Sequence, residues 1–316
     1  MKSRILTVIM IGFLMFSITL CVNAAYPERT IELVAPHGFG GGWDMFGRSL
    51  ALASRTDDAN INVINKEGGG GTNAMNYVNN EPADGYTILG LEGSQLIGEA
   101  TGLTELSTTE DFIPLMSCVD SSMGIFVKAD SPYQTFDDLV EAVKQNTEDI
   151  SVAGSDAGGI FNIVTLKVFQ NAGTDVKYIP FESNASRMMP SFLGGHIDAV
   201  FDVASVFFGM MEAGEVRALA VTTKIEKYSD VPTFDELGYG EAVPGHWRGL
   251  AVKKGTPPEI VEYLKNLFKD GLKSDMFKTV AQQRNMIINI REGEELIKFM
   301  NNSRSTISDI LATITY

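Results

Sequence analysis

The sequence predicts an α/β fold arranged as two similar lobes. Short β-rich runs alternate with helical runs along the 316 residues, which is typical of mixed, mostly parallel sheets flanked by helices. The pattern G-Φ-x-V-K-x-x-[ST]-P, in which Φ is apolar, occurs at residues 124–132 and again at residues 249–257, each time before a helical run. This internal correspondence indicates two lobes of related design, and the 44% apolar content is that of a protein with a full core.

The first 24 residues are typical of a cleaved secretory signal peptide. Lys2 and Arg4 precede an apolar stretch that ends in the small-x-small pattern of residues 22–24. A retained membrane anchor is one alternative, because the apolar stretch is nearly long enough to span a bilayer. A lipid anchor on Cys21 is another. Cleavage of the signal predicts an exported, periplasmic protein.

Charge and cysteine content restrict the partners and the cross-links. The formal charge is −15, and removal of the signal, which carries two basic and no acidic residues, makes it −17. Such a surface argues against nucleic acid or anionic lipid as a partner. Loss of Cys21 with the signal leaves Cys118 alone, so no disulfide is expected. The apolar run at residues 112–116 predicts that Cys118 is a small core residue.

The elements of the fold follow from apolar periodicity and from helix-start signals. Helical runs are predicted from Asp44 onward, after Thr135, which has Asp138 three residues later, and after the Thr-Pro-Pro of residues 256–258. The predicted strands lie at residues 31–35, 61–65, 86–91, 125–128, 150–153, 176–179, 199–202, 218–222 and 249–252.

Two glycine loops are the strongest signals of a binding site. The loop after the first strand has glycines at positions 38, 40, 41 and 42, and a helical run follows it. A strand, a glycine loop and a helix N-terminus together present unpaired N–H groups and the positive end of a helix dipole, which suits an anion. The same order recurs at residues 152–162. Phosphate, dinucleotide and carboxylate all remain possible ligands at this point.

The sequence lacks the usual catalytic patterns. Trp43 breaks a dinucleotide fingerprint in the first glycine loop. Residues 69–74 match G-x-G-x-x-A with Glu92 further on, but Lys66 and Glu67 separate that motif from its strand. There is no phosphate-binding P-loop, no G-x-S-x-G, no H-E-x-x-H and no metal-ligand spacing among the three histidines. We therefore expect binding without chemistry, with no catalytic residue, metal or cofactor.

Motifs spread along the chain resemble one family, the solute-binding proteins of tripartite tricarboxylate transporters, called TctC-like or Bug proteins. No single motif is specific, but their order and spacing together are. The matching segments are Gly-Gly-x-x-Asp at 40–44 with Arg48, Asn-Lys-x-Gly at 65–68, Asp-Gly-Tyr-Thr at 84–87, Leu-Gly-Gly-x-x-Asp at 193–198, Gly-x-x-Arg-Ala-Leu-Ala-Val at 214–221, Val-Pro-Thr at 231–233 and Trp-x-Gly-Leu at 247–250.

The resemblance implies a two-lobed periplasmic-binding-protein fold, type II-like, with the ligand cleft between the lobes. The lobes would be residues 25–122 plus 248–316 and residues 123–247, joined by a hinge where the chain crosses near 120–124 and 245–249. The implied function is an extracytoplasmic solute-binding component that binds a small organic acid and delivers it to a membrane permease. A monomer is expected. The alternatives are an exported α/β enzyme acting on a small acid, and a sensory subunit that reports the same ligand.

The resemblance also implies which residues bind the ligand. Each lobe contributes one loop, and the two facing helix N-termini could hold both ends of a dicarboxylate without any arginine. The predicted set is His37, Gly38, Phe39, Gly40, Gly41, Gly42, Trp43 and Asp44 in the first loop, Gly154, Ser155, Asp156, Ala157, Gly158, Gly159 and Asn162 in the second, Phe181, Glu182, Ser183 and Asn184 in a further segment, and Asp202.

Departures from the family pattern bear on the ligand. Phe39 and Trp43 add flat apolar area to the first loop, whereas Asp156 and Glu182 add negative charge near the expected anion. Our hypothesis is therefore an acid of smaller charge than citrate, with an aromatic, apolar or amino portion. The alternative is that Trp43 and Phe161 pack in the core beneath the loops.

Overall fold

The computed structural model describes residues 26–146, 149–154, 157–181, 185–240 and 245–313. The predicted signal peptide lies outside these residues, as do Ser155, Asp156, Glu182, Ser183 and Asn184 of the predicted site. Within the described ranges, no helix combines the length and the apolar character needed to cross a membrane.

The described chain alternates strands and helices in the order that the sequence predicts. The strands are β1 (Ile31–Ala35), β2 (Ile61–Asn65), β3 (Thr87–Glu92), β4 (Phe112–Ser121), β5 (Met123–Lys128), β6 (Ser151–Gly154), β7 (Lys177–Pro180), β8 (Ala199–Val203), β9 (Val216–Val221), β10 (His246–Lys253) and β11 (Met286–Arg291). The helices are α1 (Gly42–Ala53), α2 (Thr72–Asn80), α3 (Gly93–Ala100), α4 (Phe136–Gln145), α5 (Ile160–Asn171), α6 (Ala185–Leu193), α7 (Phe208–Glu212), α8 (Pro258–Lys273), α9 (Asp275–Gln283) and α10 (Gly293–Leu311).

The strands form two sheets, and we call each sheet with its helices a lobe. The first sheet has the order β11-β4-β10-β3-β1-β2 and the second has the order β7-β6-β8-β5-β9. The first lobe thus takes strands from residues 31–121 and 246–291, and the second takes strands from residues 123–221. Ser122 alone separates β4 from β5, so the chain passes between lobes there. The exact domain boundaries stay a prediction.

Both sheets are mixed, as predicted, but parallel pairing does not dominate. β1 pairs in parallel with β2 and β3, and β6 pairs in parallel with β7 and β8. The other five strand pairings within the described ranges are antiparallel, including both partners of β10. Within each sheet most of the described strands nonetheless run in one direction, as expected, because only β10 and β11 are reversed in the first sheet and only β5 in the second.

All nine predicted strands are confirmed to within a few residues, and β4 and β11 were missed. Pro114 lies inside β4, and a proline in an apolar run argues against a strand because it cannot donate to the ladder. The structure accommodates it beside a register shift, where Pro114 pairs with Ala251. β11 pairs with β4 alone and lies at the sheet edge.

The helices begin where the sequence predicts and bury their apolar faces. Thr135 caps α4, since its hydroxyl accepts the Asp138 N–H at 3.1 Å while Asp138 accepts the Thr135 N–H at 2.9 Å. Pro258 opens α8. Phe46 of α1 and Phe268 of α8 pack in one core cluster on the same face of the first sheet. Cys118 is buried and unbridged, as predicted.

Candidate ligand-binding site

The first glycine loop is fastened to the helix that follows it. Gly40 has a positive φ of 78°, and its N–H donates to Asp44 Oδ2 at 3.0 Å. The Gly41 N–H donates to the Gly38 carbonyl at 3.2 Å. Gly41 is the N-cap of α1 and has no side chain to cap it, so the first turn of α1 keeps N–H groups without intrahelical acceptors.

Asp44 faces the protein rather than the space between the lobes. Its carboxylate is buried and accepts hydrogen bonds from Asn65 Nδ2 at 2.8 Å and Arg48 Nε at 3.0 Å, besides the Gly40 N–H. Burial alone would raise the pKa of Asp44, but these hydrogen bonds outweigh it and hold the pKa below its usual value. The residue therefore holds the loop in shape as a buried anion.

The two aromatic residues of the first loop lie in opposite environments. The Trp43 side chain is 1% exposed, and its indole N–H donates to the Leu91 carbonyl at 3.3 Å. Gly47 and Gly90 make room for it, because a Cβ at either position would overlap the indole ring. Phe39 is 82% exposed and lies under the Arg48 guanidinium. The structure thus favours the packing alternative for Trp43 and leaves Phe39 at the surface.

His37 is half-exposed, and its ring contacts the buried Glu92 carboxylate, which joins two parts of the first lobe. Its Nε2 meets Glu92 Oε1, and the Ser94 hydroxyl donates to the same oxygen at 2.5 Å. The hydrogen bond to Glu92 raises the pKa of His37 against the opposing effect of burial. Burial would raise the pKa of Glu92, but the His37 contact holds it below the usual value. Ser94 bonds Glu92 and not His37, so the three residues do not have the Ser–His–carboxylate order of a catalytic triad.

The second glycine loop leads into α5. Gly159 is its N-cap, and Gly158 has a positive φ of 71° with its N–H donating to Asn162 Oδ1 at 2.9 Å. Asn162 is buried, so its side chain closes its own loop instead of pointing outward. The carbonyl of Gly154, at the end of β6, accepts the Phe181 N–H at 2.9 Å. Asn162 thus holds the second loop as Asp44 holds the first, because each side chain accepts the N–H of the glycine four residues before it.

A cavity of about 350 Å³ lies between the lobes, and we call it the cleft cavity. The first lobe contributes His37, Gly69, Gly70, Glu92, Gly93 and Ser94, with Ile97, Gly98, Thr101 and Leu103 of α3 and the residues that follow it. Ala157, Gly158, Gly159, Ile160 and Phe161 form the opposite wall, with Gly245 and His246 between the walls. The first turns of α3 and α5 therefore face the same space, which favours an anion there.

Comparison with known proteins assigns the chain to a family. A family model described as the tripartite tricarboxylate transporter family receptor, TctC, matches residues 48–315. The chain belongs to this family. TctC-family proteins are receptors for solutes, and the two-lobed fold with a cleft between helix N-termini agrees with that role.

Individual relatives of this TctC-family receptor cover nearly its whole length. It is 27% identical to the protein BugT of Bordetella pertussis over 281 residues, which are 86% of this chain and 85% of BugT. It is similar to a solved TctC solute-binding protein from Polaromonas, with 32% identity, a TM-score of 0.80, and 92% of this chain and 100% of that chain covered. The structure of R. palustris Rpa4515 with adipate shares the fold, with 23% identity, a TM-score of 0.74 and 91% and 98% coverage. The predicted family and fold are confirmed.

The cleft cavity of this TctC-family receptor includes only part of the predicted site. His37, Ala157, Gly158 and Gly159 line it. The other predicted residues within the described ranges lie beyond its lining: Gly38, Phe39, Gly40, Gly41, Gly42, Trp43, Asp44, Gly154, Asn162, Phe181 and Asp202. Asp202 lies in β8 and bonds the Val203 N–H at 2.6 Å, while burial raises its pKa to about 6. The predicted binding set as a whole stays a prediction.

Sequence reasoning missed residues whose positions depend on strand pairing. Glu92 was weighed only as a ribose-binding acid, yet it meets His37 from 55 residues away. Arg248 stood at an unspecified position of the Trp-x-Gly motif, yet it lies directly opposite Glu92 in the β3–β10 pairing. Burial lowers the pKa of Arg248. Arg248 and Glu92 are both charged, and this would have marked them as candidate site residues if the strand pairing had been known.

A second groove between the lobes is larger but less suited to an acid. It has a volume of about 800 Å³ and lies between the ends of β8 and β9 and the α9–β11 turn. Its two lysines are already paired with carboxylates, Lys224 with Glu236 at 3.0 Å and Lys227 with Glu212. This groove of the TctC-family receptor therefore offers an acid little free positive charge, and the described residues place no helix N-termini from both lobes around it.

His246 is expected to make the folded receptor sensitive to acid. Burial, and next the nearby Arg248, lower the pKa of His246 to about 3, and its Nδ1 is buried without a hydrogen-bond partner among the described residues. An unfolded chain takes up this proton near pH 6.5, so stability is full above that pH and falls as the pH drops toward 3. The loss between pH 6.5 and pH 5 is about 2 kcal/mol at a slope of roughly 1.4 kcal/mol per pH unit.

This pH dependence is measured by urea denaturation of the wild type and of His246→Gln between pH 5 and 7.5. Asp202 titrates in the same range in both proteins, so the difference between the two stability profiles isolates His246. We expect the wild type to lose about 2 kcal/mol more than the variant on going from pH 6.5 to pH 5. Parallel profiles would show that His246 accepts a proton in the folded state as easily as in the unfolded one.

Proposed function

We propose that the protein is the extracytoplasmic solute-binding subunit of a tripartite tricarboxylate-type transporter, which binds a small organic acid and delivers it to a membrane permease. The observation that carries the proposal is the cleft cavity, where the first turns of α3 and α5 come from different lobes and face one space. An acid held there contacts both lobes only when the lobes are close together. Binding would therefore shift the hinge equilibrium by that differential affinity.

The walls of the cleft cavity support an acid of low charge with an apolar portion. Ile97, Leu103, Ile160 and Phe161 supply apolar surface, and the Phe161 ring stacks on His246 with centroids 5.7 Å apart. Glu92 keeps its negative charge because His37 and Ser94 bond to it, and this charge would repel a ligand with carboxylates crowded together at that end of the cavity. The adipate bound to Rpa4515 has this kind of chemistry, an apolar chain between carboxylates.

The location and the partners belong to the same proposal. The sequence of residues 1–24 supports export to the periplasm, and the family description supports a membrane permease as partner. The formal charge of −15 supports the absence of nucleic acid as a partner, and we propose a monomer that carries out no chemistry on its ligand. Growth on the acid that depends on this gene would favour transport, whereas turnover of the bound acid would favour an enzyme.

The test is a thermal-shift screen of residues 25–316 against hexanoate, adipate, benzoate, phenylacetate, leucine and citrate. A ligand that binds only the folded state at 100 times its Kd adds about 2.7 kcal/mol of stability, which raises the Tm by several degrees. We expect the largest shift from hexanoate, adipate or an aromatic acid and a smaller one from citrate. A larger shift with citrate than with all the others would refute the low-charge ligand, and no shift with any of these acids would refute the proposed function for this ligand class.

A further inference from the structure

We propose that Arg248 binds a carboxylate of the ligand directly, beside the N-terminus of α1. The inference deepens the proposed function, because it assigns one protein group to the acid that the cleft is proposed to hold. It also revises the expectation from the sequence that helix N-termini hold the acid without any arginine.

The strand pairing brings Arg248 next to Glu92 and His246, which line the cleft cavity, although Arg248 itself lies just outside that lining. Arg248 lies opposite Glu92, and residues directly opposed in an antiparallel pair share one face of the sheet. Leu250 belongs to the core cluster that contains Phe46 of α1, so this face of β10 is the α1 face. Trp247 points the other way and is buried against Phe299. Arg248 therefore stands beside Glu92, at the strand ends from which the cleft is built.

The guanidinium of Arg248 lies against the first residue of α1. A Cβ built at Gly42 would be 2.9 Å from Arg248 Nη2, so only glycine leaves the guanidinium in place. The first turn of α1 offers N–H groups and the positive end of its dipole, and Arg248 adds a full charge with a planar donor fork. A carboxylate is the group that matches both, and hydrogen bonds between two charged groups are the strong kind.

No carboxylate of the described residues lies within ion-pair distance of Arg248, although the charge of Glu92 acts on it from the opposite strand. Within the described ranges the Arg248 side chain forms no ion pair, and its one hydrogen bond runs from Nη1 to Ser121 Oγ at a long 3.4 Å. Its Nε is buried without an acceptor among the same residues. Arg291, on the same sheet, instead pairs with both oxygens of Asp120 at 3.0 and 2.7 Å. A largely buried charge without a partner is costly, which is expected where a ligand completes the pairing.

Glu92 restricts what can bind beside Arg248. The Glu92 carboxylate bonds to His37 and Ser94 rather than to the guanidinium opposite it. One carboxylate of the ligand can pair with Arg248, whereas a second one in the same place would meet the negative charge of Glu92. The ligand therefore presents one carboxylate at this end, and the rest of its length extends between the lobes.

The experiment measures Kd by calorimetry for the tightest acid of the screen and for its primary amide, with wild type, Arg248→Met, Arg248→Lys and the control Lys66→Met. Lys66 follows β2 in the same sheet and stacks on Tyr77, so its loss removes one positive charge without touching the cleft. We expect Arg248→Met to raise the Kd of the acid about 10- to 100-fold and the Kd of the amide less than about 3-fold. Arg248→Lys keeps the charge but loses the planar donor fork, so its Kd for the acid should lie between those of wild type and Arg248→Met. Lys66→Met should stay within about 2-fold of wild type.

The stability of the unliganded protein distinguishes a ligand-binding role of Arg248 from a structural role. A ligand-binding arginine that is unpaired in the protein costs stability, so Arg248→Met should unfold at the same or a higher temperature than wild type. Equal loss of acid and amide affinity, or a lower Tm of the unliganded variant together with unchanged acid affinity, would overturn the proposal. If Arg248→Met does not fold, the role of Arg248 is structural and the proposal fails. Wild-type protein that binds none of the acids would instead overturn the proposed function.

Discussion

Replacing Trp43 with alanine is expected to lower the free energy of unfolding by about 3 to 5 kcal/mol, the range for removing a large aromatic side chain from a close-packed core. Trp43 is among the largest fully buried side chains, and it packs edge-to-face on Phe46 with ring centroids 5.4 Å apart. Gly47 and Gly90 lie so close to the ring that backbone surrounds it. Such a wall cannot collapse far into the cavity that alanine would leave, so the cost should be near the upper end of that range.

Urea denaturation followed by circular dichroism measures this change, and Phe39→Ala is its matched control. Phe39 lies in the same loop but is exposed, so its loss should change stability by less than about 0.5 kcal/mol. Trp43→Phe should retain much of the packing and lose the hydrogen bond to the Leu91 carbonyl. A Trp43→Ala variant as stable as Phe39→Ala would show that the indole is not part of the core.

The order of elements was predictable because each depends on residues close in sequence. The α4 cap needs Thr135 and Asp138, three residues apart, and β1 needs a five-residue run with four apolar residues. The predictions failed where an element depends on residues that are distant in the sequence. Pro114 looked like a strand breaker until its partner Ala251 and the register shift beside it were known. Local rules could not supply that pairing, which also decides that β10 runs antiparallel to both neighbours.

The site was predictable at the level of loops and not of side chains. The sequence located both glycine loops, because glycine and helix-start signals are local. It could not separate Trp43 from Phe39, since the space for one indole is made by Gly90, which lies 47 positions away on β3. Glu92 and Arg248 come together only through the β3–β10 pairing. Which charged residues lie near an acid in the cleft could therefore be learned only from the fold.

Replacing Asp44 with alanine is expected to lower the free energy of unfolding by about 2 to 3 kcal/mol and to weaken acid binding about 10-fold. Alanine leaves the Gly40 N–H, the Asn65 amide and the Arg48 guanidinium without their shared acceptor. Arg48 is 39% exposed, so water can hydrate its charge, and the loss should stay below the cost of breaking a fully buried pair. The affinity falls because the first glycine loop loses the group that fixes Gly40 above the start of α1.

The pH profile and Asp44→Asn decide between this loop-holding role and the ligand contact expected from the sequence. Because the folded-state pKa of Asp44 lies below its unfolded value, its stabilisation is present above about pH 4 and disappears as the pH falls through the folded pKa. The urea-derived stabilities of wild type and Asp44→Ala should therefore converge in acid. Asp44→Asn keeps an acceptor oxygen and should lose about half as much stability as alanine does. If the Asp44 carboxylate instead contacted the ligand, both variants would have wild-type stability and bind no acid. That result would show that Asp44 is a ligand-binding residue.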